Sequence, residues 1–431
     1  NADIDSDPFY AGFLEKIAPF RVLRFMDLGA TNSNPLVNWA DRTRTSRFTY
    51  AVSGGIPYEV MIQLANQSHK SVWLCVPHRA DSNYVAQMAR LFRDQLDPEL
   101  VVYLEYSNEV WNWIFAQAHY NVQTAPSNLN YGRAMAEKAA RTFRIWHDVF
   151  GDQKSRIRRV LGLQAGYNYL NEQILSQLHP SEWDLASPAS YIGLDHGSTG
   201  DPVLNAASTP QDLVENARNN WIKNIPALRQ DYSNIRLFGK GIVNYEGGQH
   251  FVGDVFGTTY PYQQAMYAAQ YTQEIYNLYS DMLDTVRNWG GRMFGNFILS
   301  GRQESIYGSW GVLNDIDVEP PYLQSAPKYQ ALLDQVCPMT PDNTLEPQAE
   351  PDALKIRPNP SAGAISVFLE SERSLETRLY ITDMTGRPVF HAPVCVSAGE
   401  NIIPVSPGNI PAGIYQVRIP GIGVTKMVRS E

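Results

Sequence analysis

The chain has 431 residues, 44% of them hydrophobic and 18% charged, enough apolar material for one large domain and a smaller one beside it. A formal net charge of −9 argues against a nucleic-acid partner, and no apolar run approaches the roughly 20 residues that a membrane-spanning helix needs. The cysteines, Cys75, Cys337 and Cys395, stand far apart without a CxxC or a Cys/His cluster, which disfavours a structural zinc site and permits at most one disulfide on export.

The opening NADIDSDPFY has no initiating Met, basic segment or apolar signal core, and reads as a front from which something has been removed. From residue 1 to 336, short apolar runs alternate with longer amphipathic stretches. The strand-like runs are RVLRFMD (21–27), SVWLCVPH (71–78), LVVYLEYSNE (100–109), RRVLGLQAG (158–166), ASYIGLDHG (189–197), GIVNYEGG (241–248) and RMFGNFILSG (292–301). Their nearly continuous apolar interiors suit parallel strands covered on both faces. Between them lie helical patterns, among them SNYVAQMARLFRDQL, YGRAMAEKAARTFRIWHDVFG and one long stretch from Tyr260 to Gly290. Asp81 and Gly151 supply start and stop signals for the first two of these.

Repeated strand–helix units predict an α/β fold, and the absence of a Gly-rich phosphate loop favours a (β/α)8 TIM barrel over a doubly wound nucleotide-binding sheet. Charged and aromatic residues gather where the runs end, the position of a barrel's active site. Seven runs are present, so the first barrel strand is expected upstream of residue 1. Residues 337–353, rich in Pro and acidic side chains, read as a linker. After it, 354–431 alternates strands with Gly/Pro turns, including one at Asp383 and Gly386, and predicts a small all-β sandwich.

Two segments carry the chemistry. In VVYLEYSNEVWN (101–112) a buried strand runs into Ser107-Asn108-Glu109 and then Val110-Trp111-Asn112, which reads as exposed. In GIVNYEGGQH (241–250) a short apolar run ends at Tyr245-Glu246, followed by glycines that let backbone pass close to a substrate. Cleaving a glycosidic bond needs one carboxyl to protonate the leaving oxygen and a second across the sugar ring. Glu109 has the context for the acid, with Asn108 available to a sugar hydroxyl, and Glu246 for the nucleophile, with Tyr245 polarising it. The same roles ask for a Glu109 that starts protonated beside an ionised Glu246. Glu105, on the same side of the strand as Glu109, and Glu304 are second choices.

With these residues in view, the chain resembles the large clan of (β/α)8-barrel retaining glycoside hydrolases, in which an Asn-Glu pair ends strand four and a nucleophilic Glu ends strand seven. The resemblance spans roughly residues 15–320. It implies that Arg24 orients the nucleophile, that His196 lies beside it and that Trp310 floors the cleaved-sugar subsite. It also implies that His78 and Trp111 line the pocket, and that neither metal nor organic cofactor is required. The expected partner is a polysaccharide or oligosaccharide, and nothing in the sequence selects the glycan. A non-catalytic carbohydrate-binding protein on a barrel scaffold is the alternative, and an adhesin with a purely structural barrel is a third reading.

The segments KIRPNPSAG (355–363), LYITDMTGRPVF (379–390) and IPAGIYQVRI (410–419), with the closing GVTKMVRSE, resemble the C-terminal sorting domain of the type IX secretion system of Bacteroidetes. That resemblance implies export across the outer membrane to the cell surface or medium, with the secretion machinery as a partner. Lys426 and Arg429 are expected to present charge to it.

Overall fold

The computed structural model describes residues 8–336 and, beyond them, 354–371, 375–383, 388–397, 399–408, 410–419 and 422–430. The chain divides into two compact units, Asn1–Val336 and Cys337–Glu431. The expected linker at 337–353 and the turn containing Gly386 lie outside the described residues.

The first unit is built on β1 (Val22–Arg24), β2 (Ser71–Val76), β3 (Val102–Tyr106), β4 (Ile157–Leu163), β5 (Leu185–Pro188), β6 (Ser190–Gly193), β7 (Gly241–Asn244), β8 (Gly247–His250) and β9 (Gly291–Phe294). Seven of these form one parallel sheet in the order β1-β2-β3-β4-β5-β7-β9, with helices between successive strands. Its interior strands bury both faces: five of the six residues of β2 are buried. That is why the sequence runs are continuously apolar there.

The sheet curls into a TIM-barrel-like fold. Arg24 of β1 reaches Glu246 beyond β7 across the interior, and the outer ends also meet. Tyr329 donates to the carbonyl of Lys16 at 2.8 Å and the Lys16 ammonium donates to Tyr322, tying the helix Ala11–Ile17 to the helix Pro327–Gln335. Among the described residues β1 and β9 are the two ends of the sheet, and no strand lies between them.

The sixth predicted run breaks in two, into β7 and the start of β8, whereas the fifth supplies only β6; the main-sheet strand there, β5, lies just before it. β5 and β7 stay in the main sheet, whereas β6 and β8 pair with each other as a separate parallel ribbon. Ser190 N–H donates to the Glu246 carbonyl at 3.0 Å just where both strands step out. The break frees Tyr245 and Glu246 from the pleat. The glycines after Glu246 pair in this ribbon. Gly248 has φ +132°, and a Cβ on it would stand 2.7 Å from the Tyr279 hydroxyl.

Helix boundaries follow local chemistry. The Asp81 side chain accepts from Tyr84 N–H at 2.6 Å and starts Ser82–Gln95, and Gly151, at φ +54°, ends Tyr131–Phe150. The long pattern from Tyr260 to Gly290 is not one helix. It breaks at Thr272, whose hydroxyl caps Gln273–Asn288 by accepting from Ile275 N–H.

The second unit is antiparallel throughout. β10 (Leu354–Arg357), β11 (Ile365–Ser371) and β14 (Gly399–Val405) form one sheet, and β12 (Leu375–Asp383), β13 (Pro388–Val396), β15 (Gly413–Ile419) and β16 (Gly423–Arg429) the other, in the order β13-β12-β15-β16. Alternate residues such as Ile356, Val367, Ile381, Val417 and Met427 fill the core between them. The Arg429 guanidinium donates to the carbonyls of Gly363 and Gly408, bracing the end of β16. Asn359 does the same from the other side, bonding the Lys426 carbonyl and Val428 N–H.

Candidate active site

Glu105 and Glu109 leave the same strand toward one interior, and the turn between them aims the second. Ser107 and Glu109 adopt φ +57° and +41°, a left-handed conformation that costs non-glycine residues roughly 1–2 kcal/mol each. The Ser107 hydroxyl is buried without a hydrogen-bond partner among the described residues. Stability is thus given up in this turn, and the result is a half-buried Glu109 at the strand's end. Asn112 Nδ2 donates to Glu109 Oε2 at 2.9 Å and the Tyr245 hydroxyl to Oε1 at 2.8 Å.

Glu246 is buried, and Arg24 Nη1 donates to its Oε2 at 3.0 Å. The guanidinium's other arm, Nη2, donates to Glu105 Oε2 at 3.0 Å and to Asn108 Oδ1 at 2.8 Å. Glu105 also accepts from Trp73 Nε1 at 2.8 Å and faces the Cys75 thiol at 3.5 Å. A rigid, always-charged fork between two carboxylates suits Arg rather than Lys. Gly162 makes the room: a Cβ there would come 3.0 Å from Glu105 Oε1. Tyr191, on β6, lies within the field of both Glu246 and Glu109.

The carboxyl that the surroundings lift most plainly is Glu246. Burial raises it, Arg24 partly offsets this, Glu109 raises it further, and it stands at about 7. Because Glu109 is among the groups that raise it, the proton concerned belongs to the pair.

The sequence-predicted residues fare differently. Glu109, Glu246, Arg24, Asn108 and Tyr245 come together. Tyr245, however, donates to Glu109 rather than to Glu246, and Tyr191 stands in the field of both glutamates. Asn108 is already occupied, bonding Arg24 and donating to Asn32 Oδ1 at 3.1 Å, while Gln117 braces both its backbone and Asn32. Trp310 joins the group through Tyr191, 5.8 Å between ring centres.

Val110 and Trp111 are buried, not exposed. The chain turns back after Glu109, with Asn112 N–H donating to its carbonyl at 2.8 Å, and Trp111 packs edge-on beneath Tyr245. His78 is also buried, against Tyr120, with burial and then Arg79 lowering its pKa to about 4; it contacts neither glutamate among the described residues. His196 stacks on Tyr260 with ring centres 4.5 Å apart and bonds Tyr262, one step removed from the pair. Glu304 is exposed beside a buried Gln303.

Sequence reasoning missed Tyr191 and His250. His250 ends β8 and sets its ring edge 4.9 Å from Trp310 and 5.8 Å from Tyr191. Both are polar-tipped residues just past the point where a strand run breaks, a signal visible only once the break is known.

No family model matches the chain, and no curated protein matches it. Solved structures similar to it include a GH51 arabinofuranosidase from Xanthomonas axonopodis pv. citri, at 13% identity over 92% of this chain and 86% of that one, with a TM-score of 0.46. Another is CelM2, a bifunctional glucanase-xylanase from a metagenome library, at 11% identity over 92% and 93%, with a TM-score of 0.42. A third is an FMN-binding beta-glucuronidase from Facaelibacterium prausnitzii L2-6, at 9% identity over 93% of this chain, with a TM-score of 0.38; the chain spans only 51% of its length. The fold assignment rests on strand order and register, and the site on its own geometry.

Proposed function

We propose that this chain is a retaining glycoside hydrolase that cleaves a polysaccharide by double displacement, with Glu246 as nucleophile and Glu109 as acid/base. The observation that carries the reading is the convergence of two glutamates from non-adjacent strand ends, Glu246 held by Arg24 and Glu109 by Tyr245, with Tyr191 in the field of both.

In the first step a Glu246 oxygen bonds to the anomeric carbon, the bond to the leaving oxygen breaks, and the Glu109 proton passes to that oxygen. In the second, Glu109 takes a proton from water while the water oxygen displaces Glu246 from the anomeric carbon. Glu109 is thereby reprotonated, Glu246 leaves as a carboxylate onto Arg24, and the configuration is retained. Neither step calls on a metal or organic cofactor. Glu105 supplies the second countercharge that keeps Arg24 in place between turnovers.

For the second unit the same proposal keeps the sorting-domain reading, with export to the cell surface or medium through type IX machinery. Comparing where the full chain and a chain lacking 354–431 accumulate in a type IX-competent bacterium tests it; equal export of both would retire it.

The enzymatic reading is tested by hydrolysis across a β-glycan panel with wild type, Glu246→Ala and Glu109→Ala. Reducing ends released by wild type and lost in both variants are expected. Binding without hydrolysis, unchanged in both, would move the chain to the carbohydrate-binding class.

A further inference from the structure

Exposed aromatic rings are unevenly distributed over the first unit. Apart from Tyr10 and Tyr271, the largely exposed ones are Phe48, Trp113, Tyr167, Tyr169, Phe256 and Tyr307, and all six lie on segments leaving the C-terminal ends of strands. That is the face carrying Glu109 and Glu246. The αβ loops at the opposite end carry none among the described residues. Burying apolar rings is favourable, so rings left in water on one face mark a surface that something covers.

Two of these residues are tied through neighbours to the catalytic pair. Trp113, 56% exposed, follows Asn112, whose amide donates to Glu109. Its ring stacks on Tyr131 at 5.4 Å and meets His119 edge-on, and His119 Nε2 bonds its carbonyl at 3.0 Å. On the other flank Tyr307, 69% exposed, has its carbonyl held by Trp310 Nε1 at 2.7 Å, and Trp310 packs on His250 and Tyr191 beside Glu246. Strand order separates the two: Trp113 follows the third strand of the sheet, and Tyr307 follows the last. On a curled sheet these positions face each other across the catalytic pair. Tyr167 and Tyr169 follow the next strand, at the start of the helix Asn168–Gln177, which Gly166 N–H and Asn171 anchor by donating to buried Asp231.

Flat rings spread along one face, with Trp113 already stacked on Tyr131, match the apolar C–H faces of successive sugar units more closely than a contiguous protein interface. Resting on the hydrolase reading above, we infer that the chain binds an internal stretch of a long glycan, with sugar units stacked on Trp113 on one side of the cleaved bond and on Tyr307 on the other, and cuts within the polymer. A site serving chain ends would need only one of these flanks.

The test uses cello-, manno- and xylo-oligosaccharides from dimer to octamer, with wild type, Trp113→Ala, Tyr307→Ala and Trp113→Phe. Both side chains are more than half exposed, so all variants are expected to fold. In wild type, kcat/KM rises with chain length. Each Ala variant flattens the octamer-to-dimer ratio by roughly tenfold or more, the usual effect of removing an aromatic anchor, and Trp113→Phe restores part of it. A ratio near one in wild type, or a rise that survives in both Ala variants, would overturn the inference while leaving the hydrolase intact. Should nothing be cleaved, calorimetric binding to the same oligosaccharides in the Glu246→Gln background separates the two proposals. Length-dependent binding lost in the ring variants would keep the surface and retire the chemistry. No binding to any probe would retire both.

Discussion

Replacing Glu246 with Gln is predicted to stabilise the first unit at alkaline pH while abolishing activity. Folding lifts this carboxyl from 4.5 to about 7, chiefly by burial. A carboxyl raised on folding leaves stability intact below its unfolded pKa and removes it as pH climbs through the folded one. The gap of about 2.5 units, at 1.36 kcal/mol each, amounts to roughly 3 kcal/mol lost between about pH 4.5 and 7. Gln resembles the protonated form, can still accept from Arg24 Nη1, and leaves Arg24 its pairing with Glu105. Urea unfolding of wild type and Glu246→Gln at about pH 5 and about pH 8 reads the difference directly. The variant's relative stability is expected to improve by about 3 kcal/mol from the acidic to the alkaline condition. A difference between the two proteins that does not change with pH, or that moves the other way, would refute the reasoning.

The same proton should leave a mark on catalysis: kcat/KM falls as pH rises through about 7, when the pair loses it. Glu105→Gln removes an anion that raises Glu246, so this alkaline limb is expected to move to lower pH; an unmoved limb would leave Glu105 a purely structural residue. Tyr245→Phe deletes the donor to Glu109 Oε1 and is expected to lower kcat/KM by about tenfold, the worth of one hydrogen bond to a charged group, so unchanged kinetics would count against that contact. The Cys75 thiol is buried and its pKa pushed up by burial first, so alkylation of the native protein followed by peptide mass spectrometry should label the exposed Cys395 and spare Cys75 until denaturant is added.

How far the sequence reveals this protein depends on which physical rule governs each part. The strands of the main sheet were legible because a parallel strand buried on both faces is written as a continuous apolar run, as in SVWLCV. Glu105 was legible as a carboxylate near the end of its strand, although its pairing with Arg24 was not. Where the backbone leaves regular geometry, the period stops informing. Ser107 and Glu109 at positive φ turn the chain so that Val110 and Trp111 pack inward, where VWN by itself reads as exposed. The split of NYEGG between β7 and β8, and the step from β5 to β6 at Ala189, likewise decide which side chains face the glutamates, and no local propensity encodes it. The tail followed a similar division. Alternating residues foretold its core, but the capture of Arg429 by two carbonyls depends on loops brought together only in the folded unit.

The central claim is that Glu246 forms a covalent bond to sugar. Incubating the chain with activated 2-deoxy-2-fluoro glycosides matched to whichever glycan it cleaves, followed by intact-mass and peptide mass spectrometry, tests it most directly. One glycosyl unit per chain on the peptide containing Glu246, absent from Glu246→Gln, is the result expected. A cleaving enzyme that never carries the label, or carries it on another carboxylate, would contradict the account.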